Sequence, residues 1–221
     1  MNILRSIFAG AALLALPAEA QEHRFEADPV VMVRENFVAC EVLSQLQRVM
    51  ENPRFLLGDW LENDFLAESF DAAISIESSE HMPDKPRFFA QAHRVLAPGG
   101  RLIICAWLAA ENPTAKQERW LIEPICREGR MPHLGSESDY RQLAADAGFT
   151  IERVQDVTRQ IARTWPMIVR IFLLKLLHKP AYLRFLLDRH AHNRIFALTI
   201  VRLWIAFRTG AMRYGVFTLR K

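Results

Sequence analysis

Short apolar runs separated by polar turns fill the middle of the chain and predict its strands. The runs are Arg54–Leu57, Phe70–Ile76 and Leu102–Trp107. Between the last two, Pro86–Leu96 places its apolar residues at the spacing of an amphipathic helix. Pro98-Gly99-Gly100 follows, and we expect a glycine there to supply the left-handed cap of that helix. Nearly continuous apolar strands that alternate with a helix predict an α/β fold with a parallel sheet covered on both faces.

Polar segments follow these strands directly, and in parallel sheets ligands bind beyond the carboxyl ends of the strands. The segments are Gly58-Asp59-Trp60, Glu77–His81 and Trp107–Glu111. We therefore predict a site at this edge of the sheet. Farther along the chain, Ser136–Asp139 starts a predicted helix, Tyr140–Ala147, which Gly148 ends.

The composition is that of a single globular domain, with 221 residues of which 51% are apolar and 24% charged. The three cysteines show no CxxC spacing, and Cys105 lies inside an apolar strand, which favours a buried free thiol. The seven histidines include no HExxH motif, so we expect no metal site.

The net charge of +3 hides a basic block near the C-terminus. Residues 1–162 carry −8 and residues 163–221 carry +11, from 12 Lys and Arg against one acid. Within the block, Trp165–Leu177 and Ile195–Phe207 are predicted to be apolar helices with inserted cations. No window of about 18 residues is apolar and uncharged, so neither helix is predicted to span a bilayer. Nucleic acid is not an expected partner, because no aromatic-basic motif accompanies the charge.

The N-terminus looks like a secretory signal. Residues 1–20 contain Arg5, the apolar run Ile7–Leu16 and an Ala18-Glu19-Ala20 cleavage pattern. We nevertheless expect a cytoplasmic chain, since the cysteines show no disulfide plan, and export is the alternative. Behind this leader, Val38–Met50 has the spacing of an amphipathic helix.

A family resemblance rests on three motifs in order, GDW, then FDAAISIESSEHM, then RVLAPGGRL. This series resembles the second half of class I S-adenosylmethionine-dependent methyltransferases, with a Rossmann-like sheet. The wording from Glu77 to Trp107 is similar to the tocopherol C-methyltransferase and small-amine N-methyltransferase branch, and the match runs from about Arg54 to the C-terminus. The resemblance implies a sixth strand at Thr150–Val157 and a seventh at Met212–Leu219, hairpinned against the sixth.

The resemblance also implies roles for particular residues. Asp59 stands where the family binds the adenine amino group, a task that suits a carboxylate acceptor; the alternative is an ordinary turn aspartate. Trp60 either stacks on adenine or covers the sheet edge. Glu77 and Ser78 lie where the family's backbone passes the methionine end of the cofactor. His81 belongs to the element that lines the substrate pocket, where His81 or Glu77 would accept a proton from the methyl acceptor, a phenolic or quinol ring or a small amine. His81 could instead cap the next helix or orient a neighbour.

The chain departs from the family at its start. The family opens with a strand and a glycine-rich loop, and its second strand ends in an acid for the ribose. Neither feature is present here, and Gly58 is the first glycine after Gly10. We therefore expect an N-terminally truncated sheet that lacks its central strand. The predicted parts are a leader (1–20), a divergent segment (21–53), the methyltransferase core (54–162), a basic helical insert (163–211) and a final strand (212–221).

Three functions stay open at this point. The first is an enzyme whose basic insert forms a substrate lid resting on anionic lipid; the alternative for the insert is a helical pair packed on the sheet with its arginines solvated. The second is a truncated, inactive relative. The third is a basic module that binds membrane surfaces. The sequence does not indicate an oligomeric state.

Overall fold

The computed structural model describes residues 12–17, 30–33, 54–178, 184 and 196–221. The strands among these residues are β1 (Ala12–Pro17), β2 (Val30–Val33), β3 (Arg54–Leu57), β4 (Phe70–Ile76), β5 (Leu96–Ala109), β6 (Thr150–Asp156) and β7 (Met212–Arg220). They form a seven-stranded sheet in the order β3-β2-β1-β4-β5-β7-β6. The predicted α/β class is confirmed, and β7 lies beside β6 as expected.

Helices connect and cover these strands. They are α1 (Lys85–Val95), α2 (Ala115–Gln117), α3 (Glu123–Gly129), α4 (Glu137–Asp146), α5 (Thr158–Ala162), α6 (Thr164–His178) and α7 (Phe196–Thr209). Two short 3-10 turns, Trp60–Glu62 and Ser79–His81, follow β3 and β4, and a π-helical turn, Glu118–Ile122, joins α2 to α3. The predicted helical insert is confirmed in α6 and α7. The predicted helix at Val38–Met50 lies outside the described residues.

None of the helices that the structure describes is both long and apolar enough to cross a membrane.

The chain divides into two compact units. The first comprises Met1–Ala106, Asp139–Gln155 and Val216–Lys221, and the second comprises Trp107–Ser138 and Asp156–Gly215. The boundary falls inside β5 and β7. Fully buried side chains of the first unit include Phe88, Phe89, Leu102, Tyr140 and Phe217, and those of the second include Ile125, Ile200, Leu203 and Met212.

The start of α1 follows from local sequence. Asp84 caps the helix, because its carboxylate accepts a hydrogen bond from the Arg87 amide at 2.9 Å. Pro86 lies in the first turn, where a missing amide hydrogen costs nothing. The apolar residues at helical spacing, Phe88, Phe89, Ala92 and Val95, are all buried.

The glycine cap predicted for this helix is wrong. Helix α1 ends at Leu96 in an extended conformation, so no left-handed residue caps it. Gly99, with φ +79°, instead turns the chain within the first part of β5. Gly100 is confined there as well, since a Cβ would come within 2.9 Å of the Ala97 and Asp71 carbonyl oxygens. The glycines therefore shape the entry of β5.

The expectation of a sheet without its central strand is also wrong. β1 occupies that place, between β2 and β4, and it consists of residues from the predicted leader. An apolar run such as ALLALP suits a strand covered on both faces as well as it suits a signal sequence, because both need continuous hydrophobicity. The sequence pattern alone cannot separate the two.

The direction of β1 differs from that of the strands around it. β1 runs antiparallel to both β2 and β4, whereas β2 pairs parallel with β3 and β4 pairs parallel with β5. Residues 18–29 join β1 to β2.

The register fixes which residues share the carboxyl edge. Leu57 is aligned with Val33, Val33 with Ala12, Ala12 with Ile76, and Ile76 with Cys105. The strands β2, β3 and β4 end along this row, β1 begins there, and β5 passes through it and continues to Ala109. Gly58-Asp59 and Glu77 therefore leave the sheet at the same edge, as the sequence predicted.

Candidate functional site

The turn after β4 is built around a strained residue. Glu77 has φ +48°, in the left-handed region that non-glycine residues rarely adopt. Its amide donates to the Cys105 carbonyl oxygen at 2.8 Å, one position beyond the last β4–β5 pair. The hydrogen bond holds the backbone while the chain turns sharply away from the sheet. Backbone strain of this kind is typical of binding sites.

Hydroxyl groups fill the interior behind this turn. Ser75 and Ser78 are buried, and their Oγ atoms lie 2.6 Å apart in a hydrogen bond. The Ser78 hydroxyl is thus already engaged inside the first unit. A ligand at the edge of the sheet would meet the backbone of Ser78 rather than its side chain, which agrees with the role that the resemblance implies.

A second buried chain of hydrogen bonds joins this turn to α4. Ser79 Oγ donates to Glu80 Oε2 at 3.2 Å and bonds the Tyr140 hydroxyl at 2.9 Å. Because the serine proton points to the carboxylate, the Tyr140 hydroxyl is the donor to Ser79. All three residues are at most 1% exposed. Tyr140 is itself held by an edge contact with Phe89 and by stacking on Phe217.

Burial and the Glu80 charge keep nearby groups protonated. Burial raises the pKa of Tyr140 far above its usual range, and Glu80 raises it further. Burial also raises the pKa of the Cys105 thiol, with further contributions from Glu77 and Glu80. Tyr140 therefore remains a hydrogen-bond donor at neutral pH. Cys105 is a free thiol, as its position in an apolar strand predicted, but it is half-buried and not buried.

His81 ends the 3-10 turn that begins at Ser79, and its amide donates to the Ser78 carbonyl oxygen at 3.1 Å. The residue is half-buried. Lys85 Nζ donates to the carbonyl oxygens of Glu80 and Met82, at 3.5 and 3.4 Å. The buried lysine anchors the backbone on both sides of His81 to the start of α1.

Asp59 and Trp60 have different surroundings at the end of β3. Asp59 is exposed, and its Oδ1 accepts from the Leu61 amide at 3.0 Å. Trp60 is buried; its indole nitrogen donates to the Phe88 carbonyl oxygen at 3.2 Å, and its ring lies 6.2 Å from the Phe88 ring. Of the two roles open to Trp60, covering the sheet agrees with this burial better than stacking on a ligand.

The third predicted segment, Trp107–Glu111, belongs to the second unit. Glu111 accepts from both the amide and the hydroxyl of Ser138, at 3.0 and 2.5 Å. The hydroxyl bond is the main cause that lowers the pKa of Glu111. Glu111 thus stays charged and holds the chain ahead of α4.

The structure brings together Glu77, Ser78 and His81 on one turn and places Asp59 farther away. β3 and β4 are three strand intervals apart, about 14 Å. The residues that sequence reasoning missed are Tyr140 and Ser75, which no local pattern connects to the turn.

These features fit an extended nucleoside better than a metal ion. The exposed Asp59 carboxylate follows β3 at this edge. The left-handed turn at Glu77, whose amide is hydrogen-bonded to Cys105, follows β4 at the same edge. In the part of the chain that the structure describes, no group of three or more His, Cys, Asp or Glu side chains could hold a metal. A carboxylate acceptor and turn backbone are the kinds of group that the resemblance implies for the adenine and methionine ends of S-adenosylmethionine.

Comparison with known proteins agrees with this reading. The sequence profile of a family described as a methyltransferase domain matches residues 16–154, so the match begins well before Arg54. A protein named probable tocopherol O-methyltransferase, chloroplastic, from Oryza sativa subsp. japonica is 33% identical over 68% of this chain and 42% of its own length. The tocopherol O-methyltransferase, chloroplastic, of Arabidopsis thaliana is 29% identical over 81% of this chain and 51% of its own length. The chain thus spans about half the length of these relatives.

Solved structures show the same fold. The mycolic acid cyclopropane synthase CmaA1, complexed with S-adenosylhomocysteine, has a TM-score of 0.62 at 23% identity and covers 82% of this chain and 66% of its own. The geranyl diphosphate C-methyltransferase from Streptomyces coelicolor A3(2), also in complex with S-adenosylhomocysteine, has a TM-score of 0.59 at 15% identity and covers 80% and 57%.

Proposed function

The chain belongs to the class I S-adenosylmethionine-dependent methyltransferases, and from that membership we propose that it methylates a small, lipophilic phenol or quinol. The observation that carries the proposal is the turn after β4, where the strained Glu77 and the half-buried His81 leave the sheet together. The sequence similarity to two tocopherol O-methyltransferases supports a phenolic acceptor over a small amine.

S-Adenosylmethionine, when bound, supplies a methyl group on a sulfonium. Asp59 would accept hydrogen bonds from the adenine amino group, and the backbone at Glu77 and Ser78 would lie along the methionine end. The main tasks of the protein are then to align the two reactants and to exclude water.

The acceptor has to lose a proton as it is methylated. The His81 imidazole is suited to take it, because histidine is the side chain most often used as a general base. Glu77 is the alternative base. Glu80 and Tyr140 act indirectly, because their hydrogen bonds through Ser79 fix the turn on which His81 sits. They are positioning residues.

Calorimetric titration with S-adenosylhomocysteine tests the cofactor half of the proposal. Asp59→Asn should weaken binding about tenfold, the usual effect of losing one charge-assisted hydrogen bond. Asp64→Asn is the matched control, since Asp64 is an exposed acid on the same loop and loses the same charge. An unmodified chain that binds no S-adenosylhomocysteine would instead favour the inactive relative.

The rate of methyl transfer tests the proposed methyl acceptor and the proposed base. The protein is incubated with methyl-labelled S-adenosylmethionine and, separately, with a lipophilic quinol and a small amine. His81→Gln should bind S-adenosylhomocysteine normally and lose about 100-fold in rate, the usual contribution of a general base. Labelling of the amine alone would contradict the phenolic assignment, and full activity of the variant would shift the base to Glu77.

A further inference from the structure

The outer face of α6 is apolar although it is exposed to solvent. Nine large hydrophobic residues are exposed in the described part of the chain, and α6 contains five of them, namely Met167, Ile171, Leu173, Leu174 and Leu177. Leu177 is 80% exposed. Isolated exposed apolar residues are ordinary, but a contiguous group marks an interaction surface.

The five residues form a stripe and do not belong to the core. At 100° per residue, positions 167, 171, 174 and 177 fall along one side of a helix, and 173 falls next to them. The opposite side already has its partner, because Trp165 is buried and stacks on Phe207 of α7 at 5.8 Å. Packing within the second unit therefore accounts for one side of α6 and leaves the other unexplained.

Cations share the exposed side. Arg163 and Arg170 are exposed; the spacing of Arg170 places it on the same stripe, and Arg163 directly precedes the helix. The sequence holds no Asp or Glu between Asp156 and Asp188. A surface that combines apolar side chains with positive charge alone is complementary to an anionic lipid interface, which offers acyl chains below a layer of negative headgroups.

We propose that the exposed face of α6 docks this protein on the surface of an anionic lipid bilayer. Met167, Ile171, Leu174 and Leu177 enter the interface, and Arg163 and Arg170 contact the lipid phosphates. The helix lies in the plane of the membrane. This proposal is independent of methyl transfer, because it requires neither cofactor nor acceptor.

Flotation of the full chain with lipid vesicles tests the proposal. We expect binding to vesicles that contain phosphatidylglycerol and much weaker binding to pure phosphatidylcholine. Arg163→Gln with Arg170→Gln should lower binding to the anionic vesicles about 25-fold at low salt, since each basic residue near the surface contributes about fivefold. Binding of the unmodified chain should also fall as salt is added, and the arginine variant should lose most of this salt dependence.

Leu174→Gln with Leu177→Gln should lower binding about tenfold, because less apolar area enters the interface. Leu66→Gln is the matched control, since Leu66 is 78% exposed and lies in the first unit. Thermal unfolding of each variant verifies the fold. Equal binding of the unmodified chain to both kinds of vesicle, or unchanged binding of the leucine variant, overturns the proposal.

Sedimentation velocity separates lipid from a second copy of the chain. If the face of α6 pairs two copies, a concentration-dependent dimer should form, and Leu174→Gln with Leu177→Gln should abolish it. A dimer of this kind without vesicle binding overturns the proposal. A monomer that binds anionic vesicles supports it.

Discussion

The turn after β4 and the outer face of α6 both depart from the rule that apolar residues are buried and polar residues are exposed. At the turn, the polar residues Ser75, Ser79 and Glu80 are buried, and at α6 apolar side chains are exposed. Each inversion costs free energy unless a partner compensates it. The turn finds its partners inside the first unit, through Tyr140 and Ser78. The face of α6 needs a partner from outside, which is why one region suits positioning and the other suits docking.

Truncation of one side chain in each region should give the largest contrast. Tyr140→Ala should destabilise the protein by about 3–5 kcal/mol, because a fully buried ring that packs on Phe89 and Phe217 is lost. Leu177→Ala should change stability by less than about 0.5 kcal/mol. Urea unfolding measures both. A large loss for Leu177→Ala would show that α6 is covered by the protein itself.

Replacement of Glu77 tests the strained turn. Glu77→Val should cost about 2 kcal/mol, because a β-branched side chain opposes a left-handed backbone. Glu77→Gly should be neutral or slightly stabilising, since glycine adopts this conformation without strain. The pair is compared by thermal unfolding. Equal stability of the two variants would mean that the chain does not make this turn.

The pH dependence of stability probes the buried Tyr140. Folding raises the pKa of Tyr140, so above its ordinary pKa of 10 the unfolded chain ionises and the folded chain does not. Stability should therefore be constant with respect to this group below pH 10 and fall above it. Tyr140→Phe should cost about 1 kcal/mol at neutral pH and make the alkaline fall shallower.

Glu80→Gln serves as the comparison for that experiment. It removes the charge that contributes to the Tyr140 shift but leaves burial, the larger cause, in place. The alkaline fall should become smaller without disappearing. Identical pH profiles for all three proteins, measured as melting temperatures from pH 8 to pH 11, would contradict the buried network.

Alkylation of Cys105 should show the smallest effect. Its raised pKa leaves little thiolate at neutral pH, so iodoacetamide should react with Cys105 more slowly than with free cysteine. Glu77→Gln should speed the reaction modestly, because one of the two negative charges is gone. Mass spectrometry of the modified peptide measures the rate. A rate equal to that of free cysteine would place Cys105 in an open, polar setting.

Local patterns predicted local structure well in this chain. β4 has the predicted bounds, and α6 extends one residue beyond the prediction at each end. Both were predictable because the apolar spacing that forms each element lies within the segment itself. The position of Asp59 and Glu77 at the carboxyl edge was predicted as well. Both follow strands whose hydrophobicity is continuous.

Contacts between residues far apart in the sequence could not be predicted from local patterns. Ser79 and Tyr140 are 61 positions apart, and nothing in either segment indicates that their hydroxyls meet. The run Ala12–Pro17 satisfied the rules for a leader and for a strand equally, so only its pairing with β2 and β4 distinguished them. The glycines after α1 satisfied the rule for a cap, but the backbone used Gly99 for a turn into β5.

The reversed β1 offers a route to a split protein. Backbone hydrogen bonds to β2 and β4 hold it from both sides, and such bonds depend little on side-chain identity. A fragment that starts after Pro17 would present an open slot of two facing strand edges. A synthetic hexapeptide, bound parallel or antiparallel to β4, becomes a candidate to fill that slot. Its concentration would then control how much of the protein is assembled.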